Sequence, residues 1–159
     1  MTRARQPYET LEGEDFPTVR QLSVFLDNRL GQLLRLTQII ESTDIQILAL
    51  SVLDSVEYAV VRLLFDRPDE ALEALRNAGF AASVAELVVV KVPPGKRALL
   101  NVWSALLSSE VNISYAYSLL SGKFGSAVAI FVDNVEIAID TLKQHKFEVL
   151  SEGDLHDPS

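Results

Sequence analysis

Two short segments carry most of the chemistry legible in this chain: Asp27-Asn28-Arg29-Leu30-Gly31-Gln32 and Pro94-Gly95-Lys96-Arg97. In each, a glycine precedes an apolar-periodic stretch that reads as a helix. A glycine turn at a helix N-terminus points backbone N–H groups outward, where the helix dipole adds partial positive charge, and a carboxylate fits such a place. An ammonium group on the same ligand needs acceptors, which Asp27, Asn28 and exposed strand carbonyls can supply. The first segment is the stronger candidate. Ser51, Tyr115 and Tyr117 are further ones. Ser51 and Tyr117 are equivalent residues late in two strands, and Tyr115 shares a face with Tyr117 because strand side chains alternate. Plainer roles compete at every position. Asn28 is a good N-cap and Gly31 a common turn residue. Lys96 and Arg97 oppose the dipole of the helix they open, so they either capture an anion or form a solvated pair. The tyrosines also suit sheet packing.

The elements that must hold these residues occur twice, at an offset of about 66 residues. Leu22/Val88, Val24/Val90, Leu26/Val92, Leu36/Val102, Ile40/Leu106, Ile47/Ile113 and Phe65/Phe131 coincide, and a one-residue slip near the end aligns Leu75 with Leu142 and Phe80 with Phe147. The first copy reads as strand Val19–Leu26, a helix to about Thr43, strands Ile45–Leu53 and Tyr58–Phe65, a helix from Pro68 to Gly79, and a closing strand Phe80–Ala85. The second reads as strand Leu87–Val92, a helix to about Ser109, strands Asn112–Leu120 and Ala127–Val132, a helix opened by a capping box at Asp133 and Glu136, and a closing strand Phe147–Leu150. Trp103 lies on a helix stripe that marks core or interface.

The order βαββαβ, twice, predicts an α+β protein of two ferredoxin-like units in tandem, each an antiparallel sheet with helices on one face. The expected organisation is a loose leader over 1–17, units over 18–85 and 86–151, and a frayed tail over 152–159. The second and third strands of the first copy are apolar on both sides, with Ile45, Ile47 and Ala49 opposite Leu48, Leu50 and Val52. The face away from the helices therefore calls for cover by the other copy or by a second chain.

Within that order, Asp27-Asn28-Arg29-Leu30-Gly31-Gln32-Leu33 followed by Thr43-Asp44-Ile45-Gln46-Ile47 resembles the signature of the ACT domain, whose first strand leads into an Asp/Asn-x-Pro-Gly-x-Leu turn and whose second strand is entered through Gly-Ile-Asn-Ile. Pro93-Pro94-Gly95-Lys96-Arg97-Ala98-Leu99 and Glu110-Val111-Asn112-Ile113 resemble it again in the second copy. Leu30 stands where that family usually has Pro, and the second glycine falls two positions earlier in the repeat, so the two loops need not bind alike. The resemblance, from Val19 to Leu155, is to stand-alone tandem ACT proteins. It implies a regulatory module, without chemistry of its own, that binds a free amino acid or similar small ligand where two ACT units meet, in a homodimer. A purely structural module for interaction or oligomerisation is the alternative.

Other classes fit poorly. There is no Cys, which removes thiol catalysis and zinc–thiolate sites, and His145 and His156 belong to no triad or metal-ligand spacing. Asp69-Glu70 suits a helix first turn, and Gly122 and Gly125 bracket a hairpin turn, not a phosphate loop. Arg29 occupies the loop that small ferredoxin-like phosphatases use, without their Gly-rich loop. No catalytic residue, metal or cofactor is expected. A net charge of −8 argues against nucleic acid. No apolar run approaches the roughly 18 residues of a membrane span, and the first residues lack a secretory h-region. A cytoplasmic location with no membrane partner is the expectation.

Overall fold

The computed structural model describes residues 17–27, 29–120 and 122–156; the expected leader, Asn28, and the end of the expected tail lie outside them, except for Pro17, which is buried. Among the described residues, seven strands and five α-helices run in the order β1 (Val19–Leu26), α1 (Arg29–Glu41), β2 (Ile47–Asp54), β3 (Ala59–Phe65), α2 (Pro68–Asn77), β4 (Ala81–Lys91), α3 (Ala98–Ser108), β5 (Ile113–Ser118), β6 (Ala127–Val132), α4 (Val135–Gln144), β7 (Val149–Leu150) and α5 (Glu152–Leu155). The strand order is β2-β3-β1-β4-β6-β5, with β7 also on β4, and every pairing is antiparallel. This is one ferredoxin-like sheet, β2-β3-β1-β4, joined to another, β5-β6-β4-β7, through a shared strand.

That sharing corrects the sequence reading. Phe80–Ala85 and Leu87–Val92, expected as separate strands on either side of a border, form a single strand of eleven residues. Nothing between them breaks a strand, since Ala85-Glu86 brings neither Gly nor Pro. Residues 81–87 pair with β1 and residues 88–91 with β6.

Three apolar clusters stack in layers. Leu36 and Ile40 of α1 and Ala71 and Leu75 of α2 pack on Leu22, Val24, Val61 and Leu63 in the first unit. Val102 and Leu106 of α3 and Ile139 and Leu142 of α4 pack on Val88, Val90 and Ile130 in the second. Between the two sheets lies a third cluster, with Leu48, Ala49 and Leu64 of one facing Tyr117, Leu119, Ala129 and Phe131 of the other, closed at one end by Leu155. The second sheet thus supplies the cover that the two-sided strands demanded. An Ala49–Leu119 bridge and the Leu120 N–H to Leu48 carbonyl bond (2.7 Å) tie the outer strands together as well.

Two details of register depart from expectation. A bulge between Ile47 and Ala49 breaks the alternation of β2, so Ala49 joins Leu48 between the sheets while Leu50 turns to the helix side. Phe65 lies opposite Ile47, whereas it is Val132 that lies opposite Ile113; Phe65 therefore corresponds to Val132, and Phe131 to Leu64. The extra residue of the second copy sits in its β5–β6 connection, where insertions are tolerated, and it flips the face assigned to each β6 side chain.

Helix ends repeat as well. Asp66 accepts from the Gln46 N–H (2.8 Å) and Asp133 from the Asn112 N–H (3.1 Å), each tying β3 or β6 to the start of its hairpin partner. Asp133 is thereby occupied, and Asn134, not Asp133, caps α4 by accepting from the Ile137 N–H. After α2 the chain turns through Gly79 at φ 95°, and after α4 through Lys146 at φ 70°. A side chain in the left-handed region costs roughly 1 kcal/mol or more, which Gly79 avoids and Lys146 does not. Glu110, past the end of α3, is in the same position.

Glu152–Leu155, expected as part of a frayed tail, forms a helical turn. Ser151 and Asp154 complete a capping box, and Leu155 is buried. Glu152 receives the Arg20 Nε (2.9 Å), Nη2 (3.0 Å) and backbone N–H (2.8 Å), while Arg20 Nη1 also reaches Asp69 (2.6 Å). Both side chains of the Arg20–Glu152 pair are about one-third exposed, so solvent screens it. Glu152→Gln is expected to cost about 0.5–1 kcal/mol. The loss should shrink towards zero in about 1 M salt, as read from urea midpoints at low and high ionic strength.

Candidate functional site

The first strand–helix loop turns at Leu30 and Gly31. β1 ends with Leu26 opposite Ala59, and Asp27 follows in an exposed bend. Leu30 (φ −70°, ψ 116°) and Gly31 (φ 83°, ψ −19°) interrupt α1 at its start, and these are the central dihedrals of a type II turn. Proline is favoured at the first of those positions, where Leu30 stands, 89% exposed. The second demands a positive φ, which explains Gly31. The regular helix then runs on from Gln32. The side chain of Arg29 is outside the described part. A Cβ added at Gly31 would meet nothing within 4 Å, so Gly31→Ala is expected to cost only the backbone strain, about 1–2 kcal/mol, in a chemical melt.

The second loop is built differently. Pro93 and Pro94 leave β4, the Gly95 carbonyl accepts the Ala98 N–H (3.3 Å), and Lys96 and Arg97 are exposed at the head of α3. Within one chain the two loops stand apart. β1 and β4 are antiparallel, so the first loop opens beside the start of β4 and the second at its far end. Eleven residues of strand separate those levels, roughly 36 Å.

The helix heads share one property. Neither α1 nor α3 has an acidic residue in its first turn, and α3 has no side-chain cap. The other helix of each unit is provided for internally: α2 begins with Asp69 and Glu70, and α4 with the Asn134 cap and Glu136.

Tyr115 and Tyr117 meet between the sheets. They clasp Gln21, a side chain only 1% exposed. Its Nε2 donates to Tyr115 Oη (2.8 Å) and its Oε1 accepts from Tyr117 Oη (2.7 Å). Phe131 stacks on Tyr115 (5.0 Å between centroids), and the Arg62 guanidinium lies 3.8 Å above the same ring from the opposite sheet. Ser51 is paired with Arg62 on the same face of its sheet. Burial pushes the ionisation of Tyr117 well above the ordinary tyrosine value, with neighbouring Tyr115 adding and Arg62 opposing. Gln21 and Arg62 were missed in the sequence. The repeat held a signal for Gln21, a polar side chain where the second unit has buried Leu87. Nothing local marks Arg62, whose partner ring is on the other unit. Gln21 lies about 17 Å back along β1 from the first loop, so the candidates fall in three separate places.

Among the described residues no group of His, Asp and Glu side chains could hold a metal ion, and no helix is long and apolar enough to cross a membrane. A family model described as an ACT domain pair matches residues 17–158. No curated protein matches the chain. Among solved structures, a protein from Bacteroides thetaiotaomicron is 29% identical, with 88% of this chain and 96% of that one covered at a TM-score of 0.81. The ligand-free regulatory subunit of aspartate kinase from Thermus thermophilus is 17% identical over 80% of this chain and 93% of that one, with a TM-score of 0.59. The corresponding subunit from Thermus flavus is 16% identical over 82% and 93%, with a TM-score of 0.53. At those identities the likeness to the Thermus subunits is one of fold.

Proposed function

This chain belongs to the ACT domain pair family, and from that premise we propose that it is a regulatory protein which binds a free amino acid and performs no chemistry of its own. The observation that carries the reading is the loop at the head of α1. A left-handed Gly31 turns the chain into a helix whose first turn holds no carboxylate, while α2 and α4 bring their own acids. The N–H groups there suit the ligand carboxylate, and Asp27, with carbonyls of the loop, suits its ammonium group. The second loop, Pro94 to Arg97, is a separate and differently shaped mouth. Ser51, Tyr115 and Tyr117 serve the joint between the units, through which occupancy at one end would be felt at the other.

A homodimer completes the site in this reading. Leu30 (89% exposed), Leu34 (62%) and Val56 (95%) leave apolar surface around the first loop for a second chain to cover. The net charge of −8 favours a small-molecule partner over nucleic acid, and the working location is the cytoplasm.

A thermal-shift series with each of the twenty amino acids tests the proposal. A ligand at about 100 times its dissociation constant adds roughly 2.7 kcal/mol to stability, which is about 5–10 °C for a chain of this size. The shift should vanish in Gly31→Ala, which is expected to stay folded. If no amino acid at millimolar concentration moves the melting point, the sensing role is wrong.

A further inference from the structure

The second unit carries a basic cleft. It opens where β4 ends, between the β4–α3, β5–β6 and α4–β7 connections, with a volume of about 570 Å³. Lys91, Lys123 and Lys146 line it together with Glu148, whose Oε1 lies 3.8 Å from Lys91 Nζ. Phe124, Phe147 and the Pro93-Pro94 pair give it apolar walls. In a chain of net charge −8 this is a local reversal of sign.

The repeat supplies an internal control. Lys91 lies opposite Ala127 on β6 as Phe25 lies opposite Val60 on β3, so the first unit has Phe where the second has Lys. Lys146 follows α4 as Gly79 follows α2. The next residue in each case bonds back in the same way, Phe147 N–H to the Leu142 carbonyl (2.9 Å) and Phe80 N–H to the Leu75 carbonyl (3.0 Å). Lys123 sits in a connection whose counterpart, Asp54 to Tyr58, contains no cation. Three basic residues therefore line one cleft of the second unit, at positions where the first unit has none. One of them occupies a left-handed position, φ 70°, that the other unit fills with glycine. Backbone preference opposes a lysine there, as it opposes Glu110 after α3.

We propose that this cleft binds a small organic polyanion, a molecule with two or more negative charges from phosphate or carboxylate groups and an apolar body against Phe124 and Phe147. A zwitterionic amino acid is the wrong occupant, because its ammonium group would face three lysines. The site shares Pro94 with the second strand–helix loop; it is distinct in place and ligand class from the loop at Gly31, and does not rest on the amino-acid reading there.

Calorimetric titration of the full chain with pyrophosphate and with citrate, at low ionic strength, tests it. Either anion should bind, and the affinity should fall as salt is added. Pyrophosphate alone binding identifies a phosphate ligand, citrate alone a polycarboxylate. Lys146→Gly should raise the melting temperature of the free protein by about 2–4 °C, since it removes the strained residue, yet weaken the anion roughly fivefold or more. Lys91→Phe, the first unit's residue, should weaken it similarly, and Glu148→Gln should tighten it. No binding of either anion at millimolar concentration, or unchanged affinity in a folded Lys146→Gly protein, overturns the proposal.

Discussion

Leu64→Asp is expected to unfold both halves of the chain together. Leu64 has no exposed surface and sits between the sheets with Leu48, Ala49, Leu87 and Phe131. A carboxylate there is taken out of water into an apolar layer, and the cost exceeds about 4–5 kcal/mol. Against a typical stability of about 5–15 kcal/mol, that leaves little or no native protein. The milder Leu64→Ala should cost about 2–5 kcal/mol and keep a measurable urea transition. The shape of that transition is the sharper test. Each unit alone is too small to bury enough surface, and β4 belongs to both, so fluorescence of Trp103 in the second unit and far-ultraviolet circular dichroism should report one midpoint. A biphasic curve, with Trp103 surviving the first step, would mean that the units fold independently and that the layer between them is a minor contributor.

Gln21→Leu is the second large effect, and its sign is less intuitive. The change makes the residue as apolar as its counterpart Leu87 and conserves its volume approximately. It also removes the acceptor of the Tyr117 hydroxyl and the donor to the Tyr115 hydroxyl. Each buried polar group left without a partner costs about 1–3 kcal/mol, so a loss of about 2–4 kcal/mol is expected, less if water reaches Tyr115. Adding Tyr115→Phe and Tyr117→Phe to the same protein should recover most of it, because removing all the partners together leaves no orphan. If the triple variant is no more stable than Gln21→Leu, the contribution of these residues is packing and the hydrogen bonds are incidental.

Much of the fold was legible because it is written in local periods. The alternation of Val19–Leu26 and the stripes of α1 to α4 state which side of each element is apolar, and the repeat states it twice. Where legibility failed, an element departed from its period for a reason outside the segment. The bulge at Ile47/Ala49 exchanges the faces of Ala49 and Leu50, and one extra residue in the β5–β6 connection makes Val132 the counterpart of Phe65. Glu152–Leu155 looks like a tail until Arg20, far away in sequence, is placed beside it. Of the candidate site, the Leu30–Gly31 turn was legible because a type II turn needs a glycine at a fixed place.

The sequence by itself determined that the chain is a tandem of two βαββαβ units, that two strands of the first call for apolar cover on both sides, and that the two strand–helix loops differ. Those properties follow from spacing within about twenty residues, which backbone geometry converts directly into faces and turns. Only the tertiary structure decided that the units share β4, that their sheets cover each other, and that the loops open at opposite ends. It also decided that Gln21 is held by Tyr115 and Tyr117 and that Lys91, Lys123 and Lys146 converge on one cleft. These arrangements depend on how two surfaces dock, across 94 residues in the case of Gln21 and Tyr115, and no local period encodes the partner of a side chain that far away.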